Sequence, residues 1–225
     1  MKLSIKFIPF SFIFLLNACS DSFEDFTVEG SGDVSYKITL NIDWSRSTHP
    51  DNFPIAVAHF SRLVGATHSI NTTYWQEGDI ASAAIEQMSE SGGTSLLVEV
   101  VNGSIATNDS DKLILGDGLS SSPGSRSFTL PVNASHPSFT VVTMIAPSPD
   151  WFIGVSAYDL MPNGIWVDYD TVTLYAYDAG TDSGTSYGAS NSDTNPQEPI
   201  TKIINSPFLV NNNIAPIGQL IIEKL

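Results

Sequence analysis

The stretch YKITLNIDW (residues 36–44) alternates strictly between apolar and polar side chains. Its large apolar residues would share one face of an extended chain, because successive side chains of a β-strand point to opposite sides. An amphipathic helix would instead repeat its apolar residues every three or four positions. The stretch therefore predicts a β-strand with one buried face and one solvated face.

Six further segments have the composition of strands, since they are rich in β-branched and aromatic residues and are separated by Gly, Pro, Asn and Ser. These segments are residues 95–101, 126–132, 139–146, 152–158, 165–177 and 217–223. The third of them is apolar at nearly every position, which predicts a strand at the centre of a sheet.

A short helix is predicted over residues 81–88, with Asp79 as its candidate N-cap. Many short strands with one short helix indicate a mainly β fold, and we expect an antiparallel β-sandwich. The polar, glycine-rich segment 183–197 is predicted to be a long loop.

The first 18 residues have the form of a lipoprotein signal peptide. Lys2 and Lys6 precede an apolar run that is too short to span a bilayer as a mature helix. The following Leu16-Asn17-Ala18-Cys19 resembles a bacterial lipobox. An ordinary signal peptide is the alternative, but Cys19 is the only cysteine of the chain, which favours its lipidation.

Residues 19–34 are predicted to form an acidic tether, and residues 35–225 a single folded domain. A lipid on Cys19 would be the only membrane attachment. Ser20 after the cysteine favours the outer membrane or cell surface of a bacterium as the location.

The formal net charge of −15 excludes a nucleic-acid partner as the leading idea, and fits a soluble surface exposed to divalent cations.

Acidic residues lie in two of the predicted connections between strands. Asp150 lies in the turn PSPDW before strand 152–158, and DAGTDSG (residues 178–184) follows strand 165–177. If strands 139–146, 152–158 and 165–177 form a meander, Asp150, Asp178 and Asp182 emerge at the same end of the sandwich. Three close carboxylates repel one another unless a cation lies between them, and Ca²⁺ accepts such oxygen ligands in glycine-rich loops. A solvated turn remains the alternative.

Several motifs in this order resemble the spondin domain family of extracellular matrix proteins. They are MIAPSPDWFIGV (144–155), YDAGTDSG (177–184), AHFS (58–61) and GATHS (65–69), and the resemblance extends over about residues 36–203. The resemblance implies a C2-like β-sandwich with a Ca²⁺ site carried by Asp150, Asp178 and Asp182. Animal members carry cysteines in this domain, whereas this chain has none after Cys19.

The function that we expect from these residues is a calcium-binding surface module that recognises an extracellular protein or glycan, rather than an enzyme. The alternatives are a secreted hydrolase or lyase with a catalytic acidic rim, or a structural envelope protein. The motif GTSYG (184–188) fits the G-x-S-x-G of hydrolases, but no histidine follows it, as that family order requires. The four tryptophans are expected in core or rim packing, and Trp151, beside Asp150, is the candidate among them for the exposed rim.

Overall fold

The computed structural model describes residues 26–28, 30 and 32–225. The predicted signal peptide 1–18 and the lipidation of Cys19 lie outside these residues. Within the predicted tether, Phe26–Thr27 form a short strand and the side chain of Val28 is buried in the core. Part of that segment therefore packs onto the domain.

The described chain forms two helices and fourteen strands. In chain order they are β1 (Phe26–Thr27), β2 (Val34–Ile42), β3 (His59–Phe60), β4 (Leu63–His68), α1 (Ala83–Ser91), α2 (Ser95–Ala106), β5 (Ser110–Gly116), β6 (Gly124–Val132), β7 (Ser138–Ala146), β8 (Trp151–Asp159), β9 (Tyr169–Leu174), β10 (Tyr177–Asp178), β11 (Thr201–Lys202), β12 (Leu209–Val210), β13 (Asn213–Ile214) and β14 (Gly218–Lys224).

The strands build two sheets and a small hairpin. One sheet has the order β1-β6-β2-β14-β9, and the other has the order β11-β10-β8-β7-β4-β5 with β3 added against β7. Every strand pair in the described residues is antiparallel except β1 with β6. The predicted mainly β, antiparallel sandwich is confirmed, but it carries two helices rather than one.

The alternating stretch 36–44 forms most of β2, as predicted. Its apolar residues are buried between the sheets, and the side chains of Tyr36, Ile38 and Trp44 are fully inaccessible. The prediction for residues 139–146 is also confirmed, because every residue of β7 is buried and the strand lies between β4 and β8.

The prediction of a strand over residues 95–101 is wrong, because this segment begins α2. Its β-branched residues suit either structure, and the buried Leu97 and Val101 stand four positions apart on one helical face. The first helix also begins later than predicted. Its N-cap is Ser82, whose side chain accepts a hydrogen bond from the backbone N–H of Ile85, whereas Asp79 lies before the helix.

The predicted three-strand meander is wrong in its third strand. Segment 165–177 divides into β9, which joins the other sheet beside β14, and β10, which returns to pair with β8. A continuous strand would have kept the chain in one sheet. The break between Leu174 and Tyr177 lets the same segment contribute to both.

The helices cover the outer face of the second sheet and create a second apolar layer. Ile85, Met88 and Leu97 pack there with Val64 and Phe152. Neither helix in the described part of the chain is long and apolar enough to cross a membrane. The second sheet is thus packed on both of its faces.

Close packing of β4 against β7 predicts a large effect of Gly65→Ala. A Cβ at Gly65 would lie 1.9 Å from the backbone oxygen of Thr140, so a strand would have to shift. We expect a loss of about 1–3 kcal/mol or more in the free energy of unfolding, measured by urea denaturation.

The matched control is Gly103→Ala in α2, where no atom lies within 4 Å of the added Cβ. This change should stabilise the protein by about 0.5–1 kcal/mol, because alanine restricts the unfolded chain and favours helix. Equal effects of the two substitutions would contradict the packing described for β4.

A candidate cation site at the end of the sandwich

Two of the predicted acidic residues are brought together by the pairing of β8 with β10. Asp178 ends β10 and lies opposite Trp151, the first residue of β8. Asp150 directly precedes Trp151, and its backbone oxygen accepts a hydrogen bond of 3.2 Å from the N–H of Ala179. The expected convergence of Asp150 and Asp178 therefore occurs, although through a different strand order from the one predicted.

Asp150 has a half-satisfied carboxylate in a fully buried position. Its Oδ2 accepts hydrogen bonds from the N–H of Thr181 at 2.8 Å, the N–H of Asp182 at 3.1 Å and the hydroxyl of Thr181 at 3.3 Å. Its Oδ1 is also buried and has no hydrogen-bond partner in the described residues. A buried oxygen without a donor is costly, and such atoms in native proteins commonly accept a ligand or an ordered water.

Asp178 and Asp182 shape the loop that follows β10. Oδ1 of Asp178 accepts a 2.8 Å hydrogen bond from the N–H of Gly180. The two oxygens of Asp182 accept from the N–H groups of Gly184 at 2.7 Å and Ser192 at 2.8 Å. Each aspartate thus closes a tight local turn, and Asp182 also ties the start of the loop to its far side.

Gly180 allows this loop to close. Its φ of +74° lies in the left-handed region, and a Cβ would come within 2.1 Å of the backbone oxygen of Glu198. The backbone oxygen of Gly180 accepts a 2.9 Å hydrogen bond from the N–H of Glu198. Only glycine fits here without displacing the second half of the loop.

The electrostatic environment of Asp150 and Asp178 is unfavourable to their charged forms. Burial raises the pKa of Asp150, and the nearby Asp182 charge adds to the rise. Burial, together with the charge of Asp150, raises the pKa of Asp178 to about 6. None of the three aspartates forms an ion pair with a described Lys, Arg or His. The cluster therefore lacks a cationic partner within the described protein.

Side chains alone do not complete a metal site. Among residues 26–28, 30 and 32–225, no three His, Cys, Asp or Glu side chains are close enough together to hold an ion by themselves. Ca²⁺ takes six to eight oxygen ligands, however, and draws several of them from backbone carbonyls and waters. The unpartnered Oδ1 of Asp150 and the all-oxygen donor set fit such a hard cation, and the lack of His and Cys argues against zinc.

Sequence analysis missed Glu90, the last acidic residue of α1. Burial raises its pKa, and the charges of Glu86, Asp150 and Asp182 add to the rise. The charge of Glu90 therefore interacts with those of the acidic loop. Its position could not be read from motif spacing, because it depends on how α1 packs over the second sheet.

Trp151 is buried, with 2% of its surface exposed, so it packs in the core and does not stand at the exposed rim. Its ring packs edge-on against Tyr187 at 5.5 Å and Phe208 at 5.3 Å. Tyr187 belongs to the loop that follows Asp182 and also contacts Trp44 of the core at 5.6 Å. The GTSYG segment therefore anchors the acidic loop through its tyrosine.

Comparisons with known proteins agree with the motifs and the fold. The Spondin_N family model matches residues 34–213. Human Spondin-2 is 33% identical over 176 residues, which cover 77% of this chain and 53% of the relative. Rat Spondin-1 is 31% identical over 211 residues, which cover 86% of this chain and 26% of the relative. The chain thus spans about half the length of the first relative and a quarter of the second, and it belongs to the spondin domain family.

Proposed function

We propose that the acidic end of the sandwich binds Ca²⁺ through Asp150, Asp178 and Asp182. The observation that carries this proposal is the buried Oδ1 of Asp150, which has no hydrogen-bond partner in the described residues. Burial and, after it, the charge of Asp150 raise the pKa of Asp178, and a cation there would relieve that repulsion as well as supply the missing partner of Asp150.

The ion would connect three separate backbone segments. Asp150 ends the β7–β8 connection, Asp178 ends β10, and Asp182 belongs to the loop that Tyr187 anchors to the core. Calcium would supply positive charge and flexible coordination, while the protein holds the oxygens in place. The bound ion would hold the loops of this end in one arrangement and so define a surface.

We propose that this surface recognises an extracellular protein or glycan, as part of a module displayed on the cell surface. Membership of the spondin domain family and the strongly acidic, calcium-compatible loops support this function. Lipidation of Cys19 would attach the module to the membrane. The proposed role is non-enzymatic, since the acidic end is explained by cation binding. Affinity for calcium should be in the range of extracellular modules, about 10⁻⁴ to 10⁻³ M.

Calcium should raise the melting temperature of the protein, and Asp150→Asn should abolish most of this increase. Calcium at a hundredfold excess over its dissociation constant stabilises by about 2.7 kcal/mol, or roughly 5–10 °C for a domain of this size. The asparagine keeps an acceptor for Thr181 and Asp182 but places a neutral group where Oδ1 would bind the ion. Differential scanning calorimetry with calcium or a chelator measures the difference.

The control is Asp117→Asn, which removes the same charge from a side chain that is 80% exposed and distant in sequence from the acidic loop. It should respond to calcium as the parent does. If millimolar calcium does not change the melting temperature of the parent protein, the proposed site is overturned. If calcium raises the melting temperature of Asp150→Asn as much as that of the parent, Asp150 is not part of the site.

Asp178→Asn should stabilise the metal-free protein most near neutral pH. The folded-state pKa of Asp178, about 6, exceeds its ordinary value of 3.8, so its contribution is fully present below pH 3.8 and is lost as pH rises through 6. The neutral asparagine avoids that loss. In chelator, the melting temperature of the variant relative to the parent should rise between pH 4 and pH 7, whereas its calcium response should be weaker.

A difference between Asp178→Asn and the parent that stays constant from pH 4 to pH 7 would contradict the electrostatic description of Asp178. The same comparison with Asp117→Asn provides the baseline for an exposed aspartate. Both variants keep the length and shape of the side chain, so packing changes little.

Recognition is tested by binding the purified domain to arrays of matrix proteins and glycans. We expect at least one ligand class to bind with calcium, to be released by a chelator, and to bind Asp150→Asn more weakly. Binding that is the same with calcium and with a chelator, or no binding to any ligand class, would overturn the proposed calcium-dependent recognition. Light scattering on the same samples would reveal self-assembly, the result expected of a structural envelope protein.

A further inference from the structure

The second sheet has a gap beside β8. Strand β8 pairs with β7 along most of its length, but β10 pairs only with its first two residues, Trp151 and Phe152. The segment just before β10 lies in the first sheet instead, where β9 pairs with β14. The place next to residues 153–159 is therefore not filled by any strand of the described chain.

The backbone groups of Gly154 and Ser156 point toward this gap. The edge of β8 that faces β10 carries the backbone oxygen of Asp150, which accepts a hydrogen bond from the N–H of Ala179. Alternate residues of an antiparallel strand direct their N–H and C=O groups to the same edge. Gly154 and Ser156 stand four and six positions after Asp150, so their backbone groups face the same side as its oxygen.

These backbone groups have no strand to pair with. Outside the ladder with β7, no backbone–backbone hydrogen bond in the described part of the chain involves Gly154 or Ser156. The N–H of Ala157, which is out of phase with them, donates instead to the hydroxyl of Thr140 in β7 at 2.9 Å. A strand edge with free N–H and C=O groups is a template for pairing with another extended chain.

The gap is a cavity of about 450 Å³. Residues 154–158 of β8 line one side, Val172 and Thr173 of β9 line the second, and Trp75 with Glu77 line the third. The volume lies in the range of ligand-binding clefts, about 300–1,000 Å³. Five residues of a strand extend about 17 Å. The cavity therefore has room for a short extended segment.

The inner and outer walls of the cavity differ. Val155 belongs to the apolar layer between the sheets, and Val172 packs against that layer. Trp75 belongs to the outer layer, and Tyr177 packs against it. The Nε1 of Trp75, a residue that is only 6% exposed, has no hydrogen-bond partner in the described residues. A buried donor without an acceptor is a second sign that a polar group is missing here.

Charges around the cavity favour a basic segment. Glu77 lies in its lining, and at the other end the hydroxyl of Tyr158 donates to Oδ2 of Asp170. The Nζ of Lys202 lies 4.8 Å from the ring centroid of Tyr175, so this ring already attracts an ammonium group. An incoming lysine or arginine would meet carboxylates and aromatic rings on a chain of net charge −15.

We propose that the gap beside β8 binds an extended basic peptide of a partner protein, which adds a strand to the second sheet where β10 leaves off. Hydrogen bonds to the backbones of Gly154 and Ser156 would hold it, as in strand addition at other exposed edges. These residues present their groups about 7 Å apart, the repeat of a strand, which favours a peptide over a glycan. The gap goes beyond the proposed cation site and does not rest on calcium binding.

The probe is a fluorescein-labelled octapeptide of alternating lysine and valine, titrated into the purified protein in chelator and followed by fluorescence anisotropy. Its controls carry backbone N-methyl groups on the lysines or on the valines. Because a strand pairs through alternate residues, one of the two methylated peptides should bind about 10-fold or more weakly, and the other within about threefold of the parent peptide. Non-specific attraction would make both bind alike.

Ser156→Pro tests the protein side, with Ser156→Ala as its control. Proline removes the N–H that faces the gap and spares the ladder with β7, because that N–H points away from β7. Alanine keeps the N–H and removes only the hydroxyl, which donates to the backbone oxygen of Trp75. We expect proline to weaken peptide binding about 10-fold or more and alanine to change it less than threefold.

Glu77→Lys tests the charge of the gap and serves also if Ser156→Pro does not fold. Its control is Glu99→Lys, an equal charge reversal at an exposed position of α2. Reversal at the cavity should weaken binding of the lysine peptide about three- to tenfold, whereas the control should change it less than twofold. In NMR spectra, the peptide should shift the amide signals of Gly154 and Ser156 and leave that of Glu99 in place.

The outcomes separate this site from the cation site. No binding by the parent, or equal binding by Ser156→Pro and Glu77→Lys, would overturn the inference. Peptide that binds only with calcium, and not to Asp150→Asn, would belong to the acidic end instead of the gap. Binding that persists in chelator while calcium has no effect on the parent would overturn the cation site alone.

Other occupants of the gap would also be detected. A dimer of the parent that Ser156→Pro dissociates, measured by light scattering, would assign the gap to a second copy of the chain. A glycan that shifts the amide signals of Gly154 and Ser156 when the peptide does not would replace the peptide as the ligand. Either result would overturn the proposed partner.

Discussion

The pairing of Asp178 with Trp151 is the constraint on which the acidic end of the sandwich depends. This two-residue ladder between β8 and β10 places Asp150 and Asp178 at neighbouring strand ends. It also sets the start of the loop whose N–H groups, from Thr181 and Asp182, reach back to Asp150. Without the return of β10 to the second sheet, the segment after β9 would stay in the first sheet and the carboxylates would separate.

The return of β10 to the second sheet is stabilised mainly by aromatic packing, because its ladder with β8 is only two residues long. Trp151, which follows Asp150 in the chain, contacts Tyr187 and Phe208, and Tyr187 also packs against Trp44 of the core. Burial of large rings is among the strongest sources of stability available to a chain with no disulfide. The apolar cluster thus offsets the electrostatic cost of placing a carboxylate against it. Burial at this end of the sandwich raises the pKa of Asp150.

The sequence predicted those features that depend on local pattern. The alternation in 36–44 and the apolar run in 139–146 determined which faces were buried, and β2 and β7 follow them. Residues 95–101 were assigned to a strand because composition alone does not distinguish β from α when the apolar residues suit both. Asp150 and Asp178 were predicted together because both stand at strand ends. Glu90 was missed, since its place follows from the packing of α1, and calcium binding itself stays a prediction.

The most informative feature of the acidic end is the hydrogen bond that Oδ1 of Asp150 lacks within the described residues. A fold selected only for stability would replace the buried Asp150 with a neutral or apolar residue, because an unpaired charged oxygen opposes folding. The chain instead builds three donors around Oδ2 and leaves Oδ1 without one. The hydrogen bonds to Oδ2 hold the carboxylate of Asp150 in one orientation and leave Oδ1 available to a ligand. It is the pattern expected where an external cation, rather than the protein, completes the structure.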